Sequence, residues 1–173
     1  MSLGQVENII LQSYLTVALL IELNNNRFLD SDYFEKMNFG NPSLKPLLQQ
    51  VGVDNQGSLL MVLYAMLCLP KEKIFDVYKA AFNGIDTEIA KRATTTKTSY
   101  QKDSPHVNYA RHIRNAVAHG NVEFSGSAVI FSDKDEKKGE YFTTEIPLDQ
   151  IGTILMELQK LTNKYVDDIN NRS

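Results

Sequence analysis

The chain has 173 residues, 43% of them apolar, and a net charge of −3. That length fits one domain with a real core, and the apolar share excludes global disorder. The mild negative charge excludes the extended positive surface that a non-specific nucleic-acid coat requires, while leaving room for a small local RNA site.

In chain order, Val6, Ile9, Ile10, Ser13, Val17 and Leu20 recur at helical spacing, and Leu11, Leu15 and Ala18 form a second stripe. A helix apolar on two sides is either deeply buried or shared with a partner subunit. Asn24, Asn25 and Asn26 end it. No Lys or Arg precedes the apolar run and Glu7 interrupts it, so it does not read as a signal peptide. The unbroken stretch Tyr14–Ile21 is too short to span a bilayer. The expectation is a soluble, cytoplasmic protein with no membrane contact. The single cysteine, Cys68, lies in the apolar run "LYAMLCLP" and reads as a buried, reduced thiol, which fits an intracellular address.

Ser31 or Asp32 caps a turn through Met37, "NFGNPS" is a loop, and "LKPLLQQVG" is a short helix stopped by Gly52. "SLLMVLYAMLCL" (58–69) reads as a buried helix broken by Pro70. A helix over Lys71–Phe82, a turn at Asn83-Gly84 and an amphipathic helix "IDTEIAKRA" follow. Residues 93–104, around "TTTKTSYQKDS", lack an apolar period and read as a mobile loop, either functional or a slack connector. Ser104 as N-cap and Pro105 at the first helical position start the next helix, whose apolar stripe is Val107, Ala110, Ile113 and Val117. Gly120 stops it. The period then changes to strand-like alternation in "NVEFS", "SAVIFSD" and "EYFTTEI", giving a β insert over 121–146. Pro147 ends the insert, and Ile151, Ile154, Leu155, Leu158, Leu161, Tyr165 and Ile169 mark a C-terminal helix over 148–170. The fold class expected is mainly α: one domain over 1–173, a helical bundle with a small antiparallel hairpin or sheet inserted between the titratable helix and the last one.

The titratable helix carries the chemistry. "RNAVAHG" places Arg114 and His119 with four residues between them, and Asn115 directly after the arginine. This resembles the signature of the HEPN superfamily, the higher eukaryote and prokaryote nucleotide-binding helical domains: Arg, four to six residues, then His, with Asn, Asp or His often following the Arg. The motif match covers seven residues; the helical body, the motif on a late helix and a last helix beside it agree with the same layout. The resemblance implies a homodimer joined through the motif helix and a metal-independent endoribonuclease acting on RNA in toxin–antitoxin, antiphage or RNA-processing systems. A protein antitoxin is then an expected partner. A non-catalytic dimer that binds a nucleotide, RNA or a protein is the alternative. Site residues under the resemblance are Arg114 for phosphate charge, His119 for proton transfer and Asn115 for positioning, with Arg111, His112 and His106 (and Asp103) as accessory contacts.

The residue chemistry stands beside that resemblance. RNA carries its own nucleophile, the 2′-hydroxyl, so cleavage requires a moved proton and a stabilised phosphate. Histidine shuttles protons near neutral pH, and the arginine fork suits phosphate oxygens. No metal or other cofactor is required. Five residues turn a helix by about 140°, so Arg114 and His119 of one chain do not face one small target. Two solutions exist and are expected together: His119 swings at the helix end, and a second protomer supplies its copy across a two-fold axis. By contrast His112, Asn115 and His119 lie nearly on one face. Bland readings stay open too: His119 beside Gly120 caps a helix end favourably, Arg114 pairs a carboxylate, and Asn115 satisfies a backbone group. Three histidines and one cysteine give no standard zinc spacing, no Gly-rich phosphate loop follows a strand, and "DKDEKKGE" lacks calcium-loop spacing.

Overall fold

The computed structural model describes residues 4–70, 74, 75 and 77–171. The fold is mainly α with a small antiparallel sheet, in agreement with the sequence. Helix α1 spans Gln5–Asn25. Glu7, which interrupts its apolar run, accepts the Gly4 N–H at 3.0 Å and closes the first turn. At the other end the Asn26 amide donates to the Glu22 carbonyl at 2.8 Å. Helix α1 buries Ile10 and Val17 in the core but leaves Val6, Ile9, Leu15 and Leu19 between 45 and 58% exposed. By length and composition alone α1 could cross a membrane, a property shared by many core helices.

Helix α2 (Asp32–Lys36) is capped by Ser31, whose hydroxyl accepts from the Phe34 N–H, and α3 (Leu44–Val51) ends at Gly52. Helix α4 (Gln56–Leu63) runs on into a π-helical turn over Tyr64–Cys68. This turn buries Met66 and Leu67 and brings Cys68 Sγ to 3.5 Å from the Arg114 carbonyl. Burial pushes the Cys68 thiol above its ordinary range, with the Arg114 charge pulling the other way, so the thiol stays neutral.

Helix α5 spans Lys79–Arg92, and the expected turn at Asn83-Gly84 is absent: both residues lie inside the helix. Their poor propensity costs about 1 kcal/mol or less each. Burial of Phe82, Ile85 and Ile89 on the same helix outweighs it. Of the helix expected over 71–82, residues 71–73 and 76 lie outside the described ones.

The stretch expected to be a mobile loop is instead structured. Strand β1 (Thr95–Thr98) pairs antiparallel with the last strand, and Gln101–Asp103 forms a 3-10 turn. Polar contacts hold it in place of apolar ones. The hydroxyls of Thr96 and Thr144 lie 2.9 Å apart, and the Thr98 hydroxyl donates to Asp103 at 2.6 Å. A reading based on apolar period misses such a strand, although threonine favours it.

The motif helix, α6, runs from Tyr109 to His119 and not from Pro105. Asn108 caps it, accepting the Arg111 N–H at 3.0 Å, while the Asp86 carboxylate accepts the Ala110 N–H at 2.7 Å. Those two acceptors satisfy helix-start donors that Ser104 would not reach. Gly120 follows in the left-handed region. Strands β2 (Val122–Ser125), β3 (Ala128–Asp135) and β4 (Glu140–Pro147) complete a sheet of order β1-β4-β3-β2. Helix α7 (Leu148–Asn170) closes the core with Ile151, Ile154, Leu158, Leu161, Tyr165 and Ile169. Helix α6 packs between β3 on one side and the π turn and α5 on the other.

Candidate functional site

Alternation along β3 turns Val129, Phe131 and Asp133 to the buried face, so a carboxylate stands where the pattern calls for an apolar side chain. Opposite it, His112 on α6 has no exposed surface. The His112 ring stacks on Phe142 of β4, with centroids 4.2 Å apart and planes 10° apart. Its Nδ1 donates to Asp133 Oδ2 at 2.7 Å. Its Nε2 lies 2.9 Å from Asp103 Oδ2 and 3.0 Å from an Arg111 terminal nitrogen. His112 is therefore an internal polar link rather than an accessory surface contact.

The link continues outward. The Asn115 amide nitrogen donates to the same Asp133 Oδ2 at 3.0 Å. Arg114 then donates to Asn115 Oδ1 from both Nε, at 3.2 Å, and a terminal nitrogen, at 2.7 Å. The Arg114 guanidinium lies 5.3 Å from the centre of the Phe75 ring. Partial burial lowers its pKa from the ordinary arginine value, which leaves it charged at any physiological pH. Arg111 sits over Tyr100, 5.2 Å from the ring centre, with Asp103 Oδ1 at 3.7 Å. Burial first, and the Asp133 charge second, push the Tyr100 phenol up to about 12.

The remaining histidines are exposed. His119 is the last residue of α6 and stands at the negative end of the helix dipole. Beside that end runs an apolar groove of about 470 Å³, bordered by Val17, Met61, Tyr64, Val117, Gly120 and Val122. His106 lines a different cavity, of about 700 Å³, at the opposite end of α6 with Asp86, Lys102 and Asn108. Burial pushes the Asp86 carboxyl up to about 6 against the pull of the Ala110 N–H, and the Asp103 charge adds to the rise.

Of the residues singled out in the sequence, the structure thus joins Arg111, His112, Arg114 and Asn115 through Asp103 and Asp133, and sets His106 and His119 at the two ends of the helix. Asp133 and Phe75 escaped the sequence reading. The signal for Asp133 was available in the strand alternation of "SAVIFSD". Among the described residues no group of three or more His, Cys, Asp or Glu side chains is arranged to hold a metal ion.

No curated protein and no solved structure matches the chain. The family model described as HEPN pEK499 p136 matches residues 1–169, almost the whole chain, and the protein belongs to that HEPN family.

Proposed function

We propose that the protein is a homodimeric endoribonuclease that needs no bound metal. One observation carries the reading: the motif arginine is held at a half-buried position by its neighbour Asn115, on the helix that ends in an exposed imidazole. In this reading the guanidinium of Arg114 stabilises the charge on the scissile phosphate. His119 takes the proton of the 2′-hydroxyl as its oxygen attacks phosphorus. The bond to the 5′-oxygen breaks, that oxygen takes a proton from solvent while His119 returns its own to solvent, and the products are a 2′,3′-cyclic phosphate and a 5′-hydroxyl. Arg114 and His119 leave α6 about 140° apart, so the two groups meet on one phosphate when two protomers pair their motif helices. The apolar groove beside Gly120 and the exposed apolar side of α1 support such pairing. We place the enzyme in the cytoplasm, as a toxin or antiphage component held in check by a protein antitoxin.

A second reading, a HEPN dimer that binds a nucleotide, RNA or a protein without cleaving, is favoured by the occupancy of Arg114. Two of its nitrogens already serve Asn115. Cleavage of RNA by the purified protein in the presence of a metal chelator separates the two. The enzyme reading expects cyclic-phosphate ends, lost by 10²-fold or more in Arg114→Ala and in His119→Ala. Undiminished cleavage by both variants, or none by the parent protein, overturns it.

A further inference from the structure

We propose that Asp133 and His112 are positioning residues for Arg114, acting through the Asn115 amide. The inference deepens the reading of the site given above and rests on it only for what Arg114 does, not for how Arg114 is held.

An asparagine amide can be turned over with little change of shape, exchanging its donor and acceptor ends. At Asn115 the two ends have incompatible neighbours. One faces the Asp133 carboxylate, which only accepts, and the other faces the Arg114 guanidinium, which only donates. The orientation is therefore dictated from the strand side. Asp133 Oδ2 demands the amide nitrogen, so Oδ1 is delivered to Arg114, where it gathers Nε and one terminal nitrogen. Two donors on one oxygen fix both the rotation of the guanidinium and its tilt. Among the described residues its other terminal nitrogen has no hydrogen-bond partner, which leaves an N–H edge for a phosphate oxygen.

Asp133 is itself immobilised. Its Oδ2 also receives His112 Nδ1, and His112 is clamped between Phe142 on its face and Asp103 at its far edge. Asp103 is tied in turn by the Thr98 hydroxyl and, at 3.5 Å, by the Asn108 N–H. The chain of contacts thus starts at β1 and the cap of α6, crosses the core face of β3, and ends on the guanidinium. Its inner members, Asp103, His112 and Asp133, are buried away from solvent, so they act through Arg114 and are not themselves catalytic.

The test reads Arg114 directly. In a ¹H–¹⁵N spectrum, an Arg114 Nε–H held by Asn115 exchanges slowly and gives a resolved signal, assigned by its loss in Arg114→Lys. Asp133→Asn preserves shape but offers an amide where the carboxylate stood. It is expected to merge that signal with those of exposed arginines, while Asp135→Asn on the same strand leaves it in place. Asn115→Ala should produce the same loss, and combining it with Asp133→Asn should add nothing further. Helical circular dichroism and the melting temperature report whether each variant folds; if Asp133→Asn does not, Asp133→Ser takes its place. A folded Asp133 variant with the Arg114 signal intact overturns the proposal. RNA cleavage is measured in parallel: a lost signal in a protein that never cleaved RNA would sink the nuclease reading and keep the positioning chain.

Discussion

In the middle of α6, His112 has no exposed surface and sits between two carboxylates and an aromatic ring; at the end of the same helix, seven residues on, His119 is exposed beside a left-handed glycine. The two side chains are chemically identical, and their surroundings assign them different work. A ring whose both nitrogens are engaged inside the core cannot carry a proton to or from a solvent-borne substrate. A ring at a helix end, free of the core, can. Composition alone treats the pair alike; motif spacing singles out His119, and burial sets His112 apart from it.

The largest effect expected is at the exposed end. On the proposed reading His119→Ala lowers RNA cleavage by about 10²- to 10⁴-fold, with unfolding by urea shifted by less than about 0.5 kcal/mol. A cleavage loss matched by an equal loss of stability would erase the distinction between the two histidines. The mirror experiment is His112→Ala. It removes the ring that bridges Asp103 and Asp133 and leaves two buried carboxylates facing a void. A loss of about 3–5 kcal/mol is expected, measured by the same urea titration. A cost below about 1 kcal/mol would mean that water replaces the ring without penalty.

How much of this was legible in the sequence follows from which forces hold each part. Apolar periodicity found α1, α3 and α7, and strand alternation found the β2–β4 hairpins, because burial of apolar faces builds those elements. The same logic failed at β1, where hydroxyl contacts of Thr96 and Thr98 replace apolar packing. It failed at Asn83-Gly84, where tertiary burial overrode local preference. It also misplaced the start of α6, because one of the acceptors that fix it, Asp86, belongs to another helix. Within the site, Arg114, Asn115 and His119 could be picked out by spacing. The chain that ties Arg114 to Asp103 could not, since Asp103 and Asp133 lie thirty residues apart and meet only across the ring of His112.

Between those extremes stands the start of α6, where Asp86 both caps the helix and resists ionisation. Its carboxyl is raised to about 6 in the folded protein, from 3.8 in its absence. The folded state therefore binds the proton more tightly than the unfolded chain between about pH 4 and 6, and stability falls as pH rises through that window. Asp86→Asn keeps an oxygen for the Ala110 N–H and removes the charge. It should stabilise the protein at pH 7 by about 1–2 kcal/mol, after discounting for the partial exposure of the group, with the gain vanishing near pH 4. Thermal unfolding across pH 4–7.5 checks it; a gain independent of pH would trace to packing rather than to charge.

The smallest effect expected bears on the exposed end again. Gly120 has φ +70°, and its N–H turns back to the Ala116 and Val117 carbonyls, closing α6 directly after His119. A Cβ added there meets nothing within 4 Å, so any cost of Gly120→Ala comes from the backbone alone. About 1 kcal/mol is expected, less for Gly120→Asn because asparagine tolerates the left-handed region better. The ratio of the two variants carries the information. If Ala costs more than Asn and cleavage falls with it, the backbone turn holds the His119 ring in place, as the side-chain chain holds Arg114. If the two cost the same, the end of α6 takes up either residue by unwinding its last turn, and His119 then does not owe its position to its own helix.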